Sequence, residues 1–165
     1  MPEIARAIVD EMIAHAREEL PNECCGMVHA RDGVPVAVHR VTNDAASPYR
    51  YEMNPLQMMR LESARDQKRR RRVPRGQPGA GRFAPGSYQE TLFAIYHSHV
   101  ASEARPSPTD VRMAFFPPGE FGREPMFPDT YYIVISLASE PPSVRAFHVR
   151  TGGVVEEEPI AIVEA

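Results

Sequence analysis

The chain has 165 residues, of which 25% are charged, and its formal net charge at neutral pH is -3. A chain of this length buries roughly two thirds of its unfolded surface in one core, so we predict a single domain over residues 1–165. The nearly balanced charge gives no overall attraction to nucleic acid or to a membrane surface.

The N-terminal segment has the pattern of an amphipathic helix. Apolar residues recur at three- and four-residue steps from Ile4 to Leu20, with charged residues between them. This predicts a helix over residues 3–19 that ends before Pro21. The same charged residues argue against a signal peptide or a membrane span, and we therefore expect a cytoplasmic protein.

Two strands follow the first helix. Residues 23–30 and 34–41 have the composition of a β-hairpin. The adjacent Cys24 and Cys25 lack the spacing of a zinc-binding pair, and we expect them to be small buried apolar residues. Glu23 stands where the helix passes into the first strand, and taken alone it is more readily interpreted as a solvated loop carboxylate.

A second helix and a basic insertion come next. Asn54-Pro55 predicts an N-cap and a first helical residue, with the helix continuing to around Arg65 or Gln67. Met53, Met58 and Met59 are predicted to fill core space. Residues 66–88 combine the cationic run Lys68–Arg72 with many Gly and Pro residues, which predicts a long insertion loop. This loop is either a solvated insertion or a basic rim that attracts an acidic partner protein or, less readily, nucleic acid.

The most informative stretch begins in the next predicted strand, residues 92–99. Side chains alternate along a strand, so His97 and His99 point to the same side, about 6.6 Å apart at ~3.3 Å per residue. After a loop, Ser107 is a predicted N-cap and Asp110 lies in the first turn of the helix that follows. Two imidazoles and a carboxylate form a three-ligand set of the catalytic zinc kind, which leaves a fourth position for water.

Each half of this pattern has a plainer interpretation. Ser-x-x-Asp before an apolar stretch is by itself a helix-capping signature. His-x-His alone is often only a pair of packed or surface histidines. The conjunction of the two at this spacing is what favours a metal site.

The rest of the chain completes an α/β pattern. The helix that begins at Pro108 is predicted to stop before Pro117 and to have a buried side that consists of Val111, Met113, Ala114 and Phe115. Four further strands are predicted over residues 131–137, 144–149, 154–158 and 160–163. Because helices and strands are interleaved, we predict an α/β domain with a mixed sheet and with helices against its faces.

The arrangement of His97, His99, Ser107 and Asp110 resembles the signature of the JAMM, or MPN-plus, metalloproteases, in which a glutamate also lies upstream. Glu23, in the run Asn-Glu-Cys-Cys-Gly-Met, occupies that place and resembles the prokaryotic branch of the family. The resemblance implies one MPN domain with a layering like that of the cytidine deaminases. One departure is that many members have proline after the second histidine, where this chain has valine.

The resemblance also implies roles for these residues. One Zn²⁺ ion would be bound by His97, His99 and Asp110, with Glu23 as general base and Ser107 as hydroxyl donor to the oxyanion. The run from His97 to Asp110 is similar to that of bacterial peptidases that release cysteine from a ThiS/MoaD-type sulfur carrier in cysteine biosynthesis. The expected partner is therefore a ubiquitin-like carrier protein with a C-terminal Gly-Gly.

Three other interpretations compete with a peptidase. A non-catalytic MPN-type scaffold generally lacks some of the metal ligands, all of which are present here. RadC-like proteins have a similar motif, but they typically carry an additional DNA-binding region that we do not expect in this chain, so a nucleic-acid partner is disfavoured. A nucleobase deaminase requires His-x-Glu and Pro-Cys-x-x-Cys, and neither occurs. The sequence leaves the oligomeric state open, and a homodimer is compatible with it.

Overall fold

The computed structural model describes residues 1–71 and 90–164, without the side chains of residues 67–71. Within these ranges the elements follow in the order β1 (Glu3–Ala5), α1 (Arg6–Glu18), β2 (Cys25–Arg31), β3 (Val34–Val41), α2 (Pro55–Arg71), β4 (Glu90–His99), α3 (Pro108–Met113), β5 (Tyr131–Ser136), β6 (Ser143–Arg150), β7 (Val154–Glu158) and β8 (Ala161–Val163).

The centre of the fold is a mixed sheet of six strands in the order β3-β2-β4-β5-β6-β7. Its neighbouring strands are antiparallel except for β4 and β5, which run parallel. The connection between the two parallel strands contains α3, as expected for strands that need a crossover. The predicted α/β class with a mixed sheet is therefore confirmed.

The three helices divide between the two faces of the sheet. Tyr96 of β4 belongs to the apolar cluster that α1 covers, whereas Ile95 packs with Phe115, just beyond the end of α3. Because side chains alternate along a strand, His97 and His99 lie on the same side as Ile95. The face that carries α3 is thus the face that carries the histidines.

The first three residues of the predicted N-terminal helix are instead a strand. β1 pairs in parallel with β8, with Ile4 opposite Ile162, and α1 begins only at Arg6. This pairing provides hydrogen bonds for the backbone of a segment whose Ile4 side chain is fully buried. The helical periodicity of residues 3–5 could not reveal it, because the partner strand comes from the other end of the chain.

The second helix is longer than predicted. Asn54 caps it, since its Oδ1 accepts a hydrogen bond from the Gln57 N–H at 3.0 Å, and the helix continues to Arg71. The prediction of a loop from residue 66 is therefore wrong for 66–71, where Arg, Lys and Gln are strong helix formers. The remainder of the predicted insertion, 72–88, lies outside the described residues.

Two predicted core methionines are on the surface. Met53 and Met58 pack against the buried cluster of β2 and β3 as predicted. Met59 and Met113, however, are 64% and 42% exposed. On α2, Met58 and Leu61 pack against that cluster, which leaves Met59 on another side of the helix. Met113 borders an open cavity of about 200 Å³, so part of its side chain stays accessible.

Cys24 and Cys25 are both buried and form no disulfide, as predicted. No described helix combines the length and the apolar character that crossing a bilayer requires.

Candidate metal centre

Strand β4 supplies the two histidines of the site. It lies between β2 and β5, with Cys25 and Val134 as the backbone neighbours of His97. His97 and His99 are 1% and 4% exposed. Their Nε2 atoms are 3.1 Å apart, which confirms that the two rings converge on one point.

Helix α3 supplies the carboxylate. Oδ2 of Asp110 lies 3.0 Å from Nε2 of His97 and 3.3 Å from Nε2 of His99. Ser107 holds this helix end in place with a complete capping box, as the Ser-x-x-Asp spacing predicted. Burial acts to raise the pKa of Asp110, but the contacts of its carboxylate with the two histidines, when these are protonated, and the hydrogen bond from the Ser107 N–H outweigh burial and hold the pKa far below its usual range.

A second contact fixes the orientation of His99. Its Nδ1 lies 2.7 Å from the backbone carbonyl oxygen of Glu103, which can only accept a hydrogen bond. The proton of a neutral His99 is therefore on Nδ1, and the lone pair of Nε2 faces His97 and Asp110. A carbonyl acceptor behind the ring is typical of metal-binding histidines.

These three side chains have the spacing that a metal ion requires. Their ligand atoms all lie within 4.8 Å of one another. Zinc binds nitrogen and oxygen at about 2.0–2.2 Å in a tetrahedron, which places ligand atoms roughly 3.3–3.5 Å apart. The separations of 3.0 to 3.3 Å are close to this value. Two nitrogen lone pairs and an anionic oxygen would repel one another at this distance without a proton or a cation between them, so the cluster fits a divalent ion.

Glu23 is buried beside the cluster. Its side chain is 3% exposed, and its Oε2 has no hydrogen-bond partner among the described residues. Burial raises the pKa of Glu23 to about 7, opposed by charge on His99 and supported by Asp110. Cys25 pairs with His97 in antiparallel strands, and the Ser98 N–H donates to the Cys24 carbonyl, so Glu23 stands across from His99 at the same end of the sheet. The interpretation of Glu23 as a solvated loop residue is wrong, because its side chain is buried.

Ser107 lies at the mouth of the site. It lines an open cleft of about 440 Å³ together with His99, Glu103 and Arg105. Its Oγ accepts a hydrogen bond from the Asp110 N–H at 3.1 Å. The hydroxyl proton is not used by that contact and is available to a molecule in the cleft.

Two further residues of the site were not identified from the sequence. The ring of Tyr51 stacks on that of His97, with centroids 4.4 Å apart and planes 20° from parallel. The side-chain amide of Asn43 donates to the carbonyl oxygens of Glu23 at 3.0 Å and of Arg50 at 3.1 Å. Neither residue stands at a ligand spacing, so no pattern in the sequence marks them.

Comparison with known proteins agrees with this geometry. The family model described as prokaryotic homologues of the JAB domain matches residues 5–149. The CysO-cysteine peptidase of Mycobacterium tuberculosis is 28% identical over 160 residues, which cover 95% of this chain and 88% of that protein.

Solved structures show the same fold. A solution structure of a Desulfitobacterium hafniense protein has a TM-score of 0.72 at 28% identity, covering 100% of this chain and 94% of its own. A JAB1/MPN domain protein of Archaeoglobus fulgidus superimposes with a TM-score of 0.50 at 17% identity, covering 99% of this chain and 100% of that one. The match along most of the sequence, together with the shared fold, shows that the chain belongs to the prokaryotic branch of the JAB (JAMM/MPN) domain family.

Proposed function

We propose that this protein is a zinc-dependent peptidase or isopeptidase that hydrolyses the amide bond after the C-terminal glycine of a ubiquitin-like sulfur-carrier protein and releases cysteine. The observation that carries the proposal is the convergence of His97, His99 and Asp110 beside a buried Glu23. Buried polar atoms are normally hydrogen-bonded, yet Oε2 of Glu23 has no partner among the described residues. A purely structural cluster would not account for such a carboxyl.

In this proposal His97, His99 and Asp110 are the metal ligands. When bound, the ion lowers the pKa of water at its open position and polarises the scissile carbonyl. The contact between His99 and the Glu103 carbonyl keeps the Nε2 lone pair of that ligand directed at the ion.

Glu23 is the general base. A carboxyl with a pKa near 7 is matched to proton transfer at neutral pH, because it can both accept and return a proton there. Glu23 removes a proton from the attacking water as the new C–O bond forms. It then delivers that proton to the leaving nitrogen as the C–N bond breaks, which leaves a carboxylate on the carrier and a free amine on cysteine.

Ser107 is the hydroxyl donor. The carbonyl oxygen of the substrate gains negative charge as its carbon becomes tetrahedral, and a fixed donor stabilises that charge. Ser107 has its Oγ held by the Asp110 N–H, so the hydroxyl oxygen is already fixed at the mouth of the cleft.

The substrate class follows from the relatives. The matched Mycobacterium protein is named as a peptidase of CysO-cysteine, and we transfer to this chain a carrier protein that bears cysteine at its C-terminus. A carrier tail that ends in glycine suits buried metal ligands, because a residue without a side chain can approach them most closely. We place the reaction in the cytoplasm, where the two free cysteines would remain reduced.

The test is direct hydrolysis of a defined substrate. A ubiquitin-like carrier protein with cysteine attached to its C-terminal glycine is incubated with the enzyme, and the product is weighed by mass spectrometry. We expect a loss of mass equal to one cysteine residue, stoichiometric zinc in the purified protein, and no reaction after chelation. A protein that carries no metal and leaves the carrier intact would instead be the binding scaffold considered above.

A further inference from the structure

The two histidines of the site are held in different ways. His99 has a hydrogen-bond acceptor behind its ring, namely the Glu103 carbonyl 2.7 Å from Nδ1. Nδ1 of His97 is buried and has no hydrogen-bond partner among the described residues. The hydrogen bond that usually orients a metal-binding imidazole is therefore missing from His97 in the described structure.

This difference leaves the rotation of the His97 ring to be fixed by packing. The χ2 torsion of histidine is broad and intrinsically restrains the ring plane only weakly. A ligand nitrogen, however, must keep its in-plane lone pair directed at the ion. Some neighbour must therefore restrict the ring, and the neighbour has to be flat to select one plane.

Tyr51 is the flat neighbour. Its ring lies 4.4 Å from the His97 ring, and the planes are 20° apart. Among the described residues, the other ring contact of His97 is with His99, which meets it edge-on at 61° and is itself a member of the site. A rotation of the His97 ring away from its present plane would collide with the Tyr51 face.

The backbone around Tyr51 is fixed by hydrogen bonds that do not involve the three proposed metal ligands. Oδ1 of Asn43 accepts hydrogen bonds from the N–H groups of Ala45 and Glu52, and Nδ2 of the same side chain donates to the carbonyl of Arg50. Asn43 is also bridged to Met53 as an isolated β-pair. The residues on both sides of Tyr51 are thus tied to one amide side chain, which gives the tyrosine ring a rigid support.

We propose that Tyr51 is the positioning residue of His97, which keeps the imidazole plane aligned for metal binding in place of the missing hydrogen bond. The inference rests on the proposed role of His97 as a ligand. It requires the aromatic face of Tyr51 and does not require its hydroxyl group.

The experiment measures metal affinity and needs no substrate. Apoprotein prepared with a chelator is titrated with Co²⁺, and the visible absorption of the bound ion is recorded. Zn²⁺ affinity is then obtained by competition with a chromophoric chelator. The variants are Tyr51→Phe, which keeps the aromatic face, and Tyr51→Leu, which keeps apolar volume without it. Thermal unfolding of each apoprotein is recorded in parallel.

The control for packing is Tyr132→Leu. Tyr132 is buried and lines the same apolar cavity of about 200 Å³ as Tyr51, and no ring contact joins it to His97 in the described structure. This variant removes a comparable ring from the same cavity wall. It should lower the unfolding temperature and leave the metal dissociation constant unchanged.

We expect Tyr51→Phe to bind metal as the wild type does, and Tyr51→Leu to bind about 10–100-fold more weakly, as is typical when a residue that orients a ligand is lost. The Co²⁺ spectrum of Tyr51→Leu should also change shape. Equal affinity of Tyr51→Leu and the wild type would overturn the inference, and so would an equal loss in Tyr132→Leu.

Failure of the proposed function gives a different result. If the wild type binds no Co²⁺, or if His97→Ala binds it as tightly as the wild type, the ligand assignment is wrong whatever the effect of the Tyr51 substitutions.

If Tyr51→Leu does not fold, proton NMR of the wild type and of Tyr51→Phe tests whether the two rings stack. The carbon-bound protons of His97 should be shifted upfield by the stacked ring in both proteins, and unshifted resonances would exclude the stack.

Discussion

Ser107 and Asp110 exchange hydrogen bonds across the first turn of α3. The backbone N–H of Ser107 donates to Oδ2 of Asp110 at 2.7 Å, and the backbone N–H of Asp110 donates to Oγ of Ser107 at 3.1 Å. The carboxylate that closes the metal site is therefore held by the residue proposed to stabilise the oxyanion. Ser107 thus caps the helix and is also the proposed hydroxyl donor, and two substitutions at this position separate the two roles.

Ser107→Ala removes both the cap and the hydroxyl, whereas Ser107→Gly removes the hydroxyl and retains most of the capping preference. Replacement of a serine cap costs about 1 kcal/mol for alanine and only a few tenths for glycine. Turnover should fall in both variants by about 10²–10³-fold, as for other lost oxyanion donors. Urea unfolding and turnover of the carrier adduct check this. If turnover in the glycine variant stays near wild type, Ser107 is only a cap.

Glu23→Gln should keep the metal and lose most of the activity. The substitution retains the shape of the side chain but cannot accept the proton of water, so a loss of about 10²–10⁴ in turnover is expected. His97→Ala should lose both metal and activity. Metal analysis of the purified variants, together with turnover, separates the two effects. Wild-type turnover in Glu23→Gln would show that another group moves the proton.

The apoprotein should show a pH dependence due to Glu23. Burial raises its pKa from 4.5 to about 7, so the folded state binds this proton more tightly than the unfolded state. The resulting stabilisation is complete below pH 4.5 and is lost as the pH rises through about 7. At about 1.4 kcal/mol per pKa unit, the loss approaches roughly 3 kcal/mol.

The pH-dependent loss of stability is measured by urea unfolding of chelator-treated wild type and Glu23→Gln at about pH 5 and about pH 8. The wild type should lose stability relative to the glutamine variant at the higher pH. Using the difference between the two proteins cancels the titration of groups that both of them contain. A constant difference across this range would mean that Glu23 titrates normally.

Asn43→Ala should lower both stability and turnover, although Asn43 is not one of the proposed metal ligands. The substitution removes the donor to the carbonyls of Glu23 and Arg50, and a hydrogen bond of this kind contributes about 0.5–1.5 kcal/mol to stability. Turnover should fall as well, because the Glu23 backbone then keeps only the hydrogen bond from its N–H to the Ser47 carbonyl among the contacts of the described residues. Asn54→Ala is the matched control. It removes the cap of α2 without a contact to Glu23 and should lower stability alone.

Gly26 allows Tyr96 to cross strand β2. A Cβ at position 26 would overlap the outer ring atoms and the hydroxyl of Tyr96. That hydroxyl is hydrogen-bonded to His15 at 2.8 Å inside the core, so the ring cannot move freely. Gly26→Ala should therefore destabilise the protein by about 1–3 kcal/mol, as overpacked cores do. Gly122→Ala, at a position with no heavy atom within 4 Å, should have little effect on the unfolding temperature.

Much of the site could be predicted from local sequence. His97 and His99 are two residues apart on a strand, and the period of a strand alone places both on one side. Ser107 and Asp110 form a capping box, which depends only on the first turn of a helix. The burial of the cysteines and the presence of the strands from β2 to β8 could also be predicted, because apolar runs and turn residues are local signals.

The errors in the secondary structure have two different causes. Residues 3–5 have a helical pattern but form a strand, because residues 161–163 provide the partner. The helical end at Arg71 was missed because a cationic run followed by Gly and Pro residues has the composition of a loop. Pairing with a distant strand overrides the helical pattern of residues 3–5, whereas in residues 66–71 the helix propensity of Arg, Lys and Gln prevails over the loop-like composition that follows.

The sequence alone determined which side chains could bind a metal, because the spacing of those residues is fixed by one strand and one helix start. Only the tertiary structure decided that Glu23 is buried and that Tyr51 stacks on His97. It also decided that Asn43 joins the backbone at Glu23 to the backbone at Arg50. The physical reason is that burial and ring contact depend on elements far apart in the chain. Their positions are set by the packing of the whole sheet and not by any local pattern.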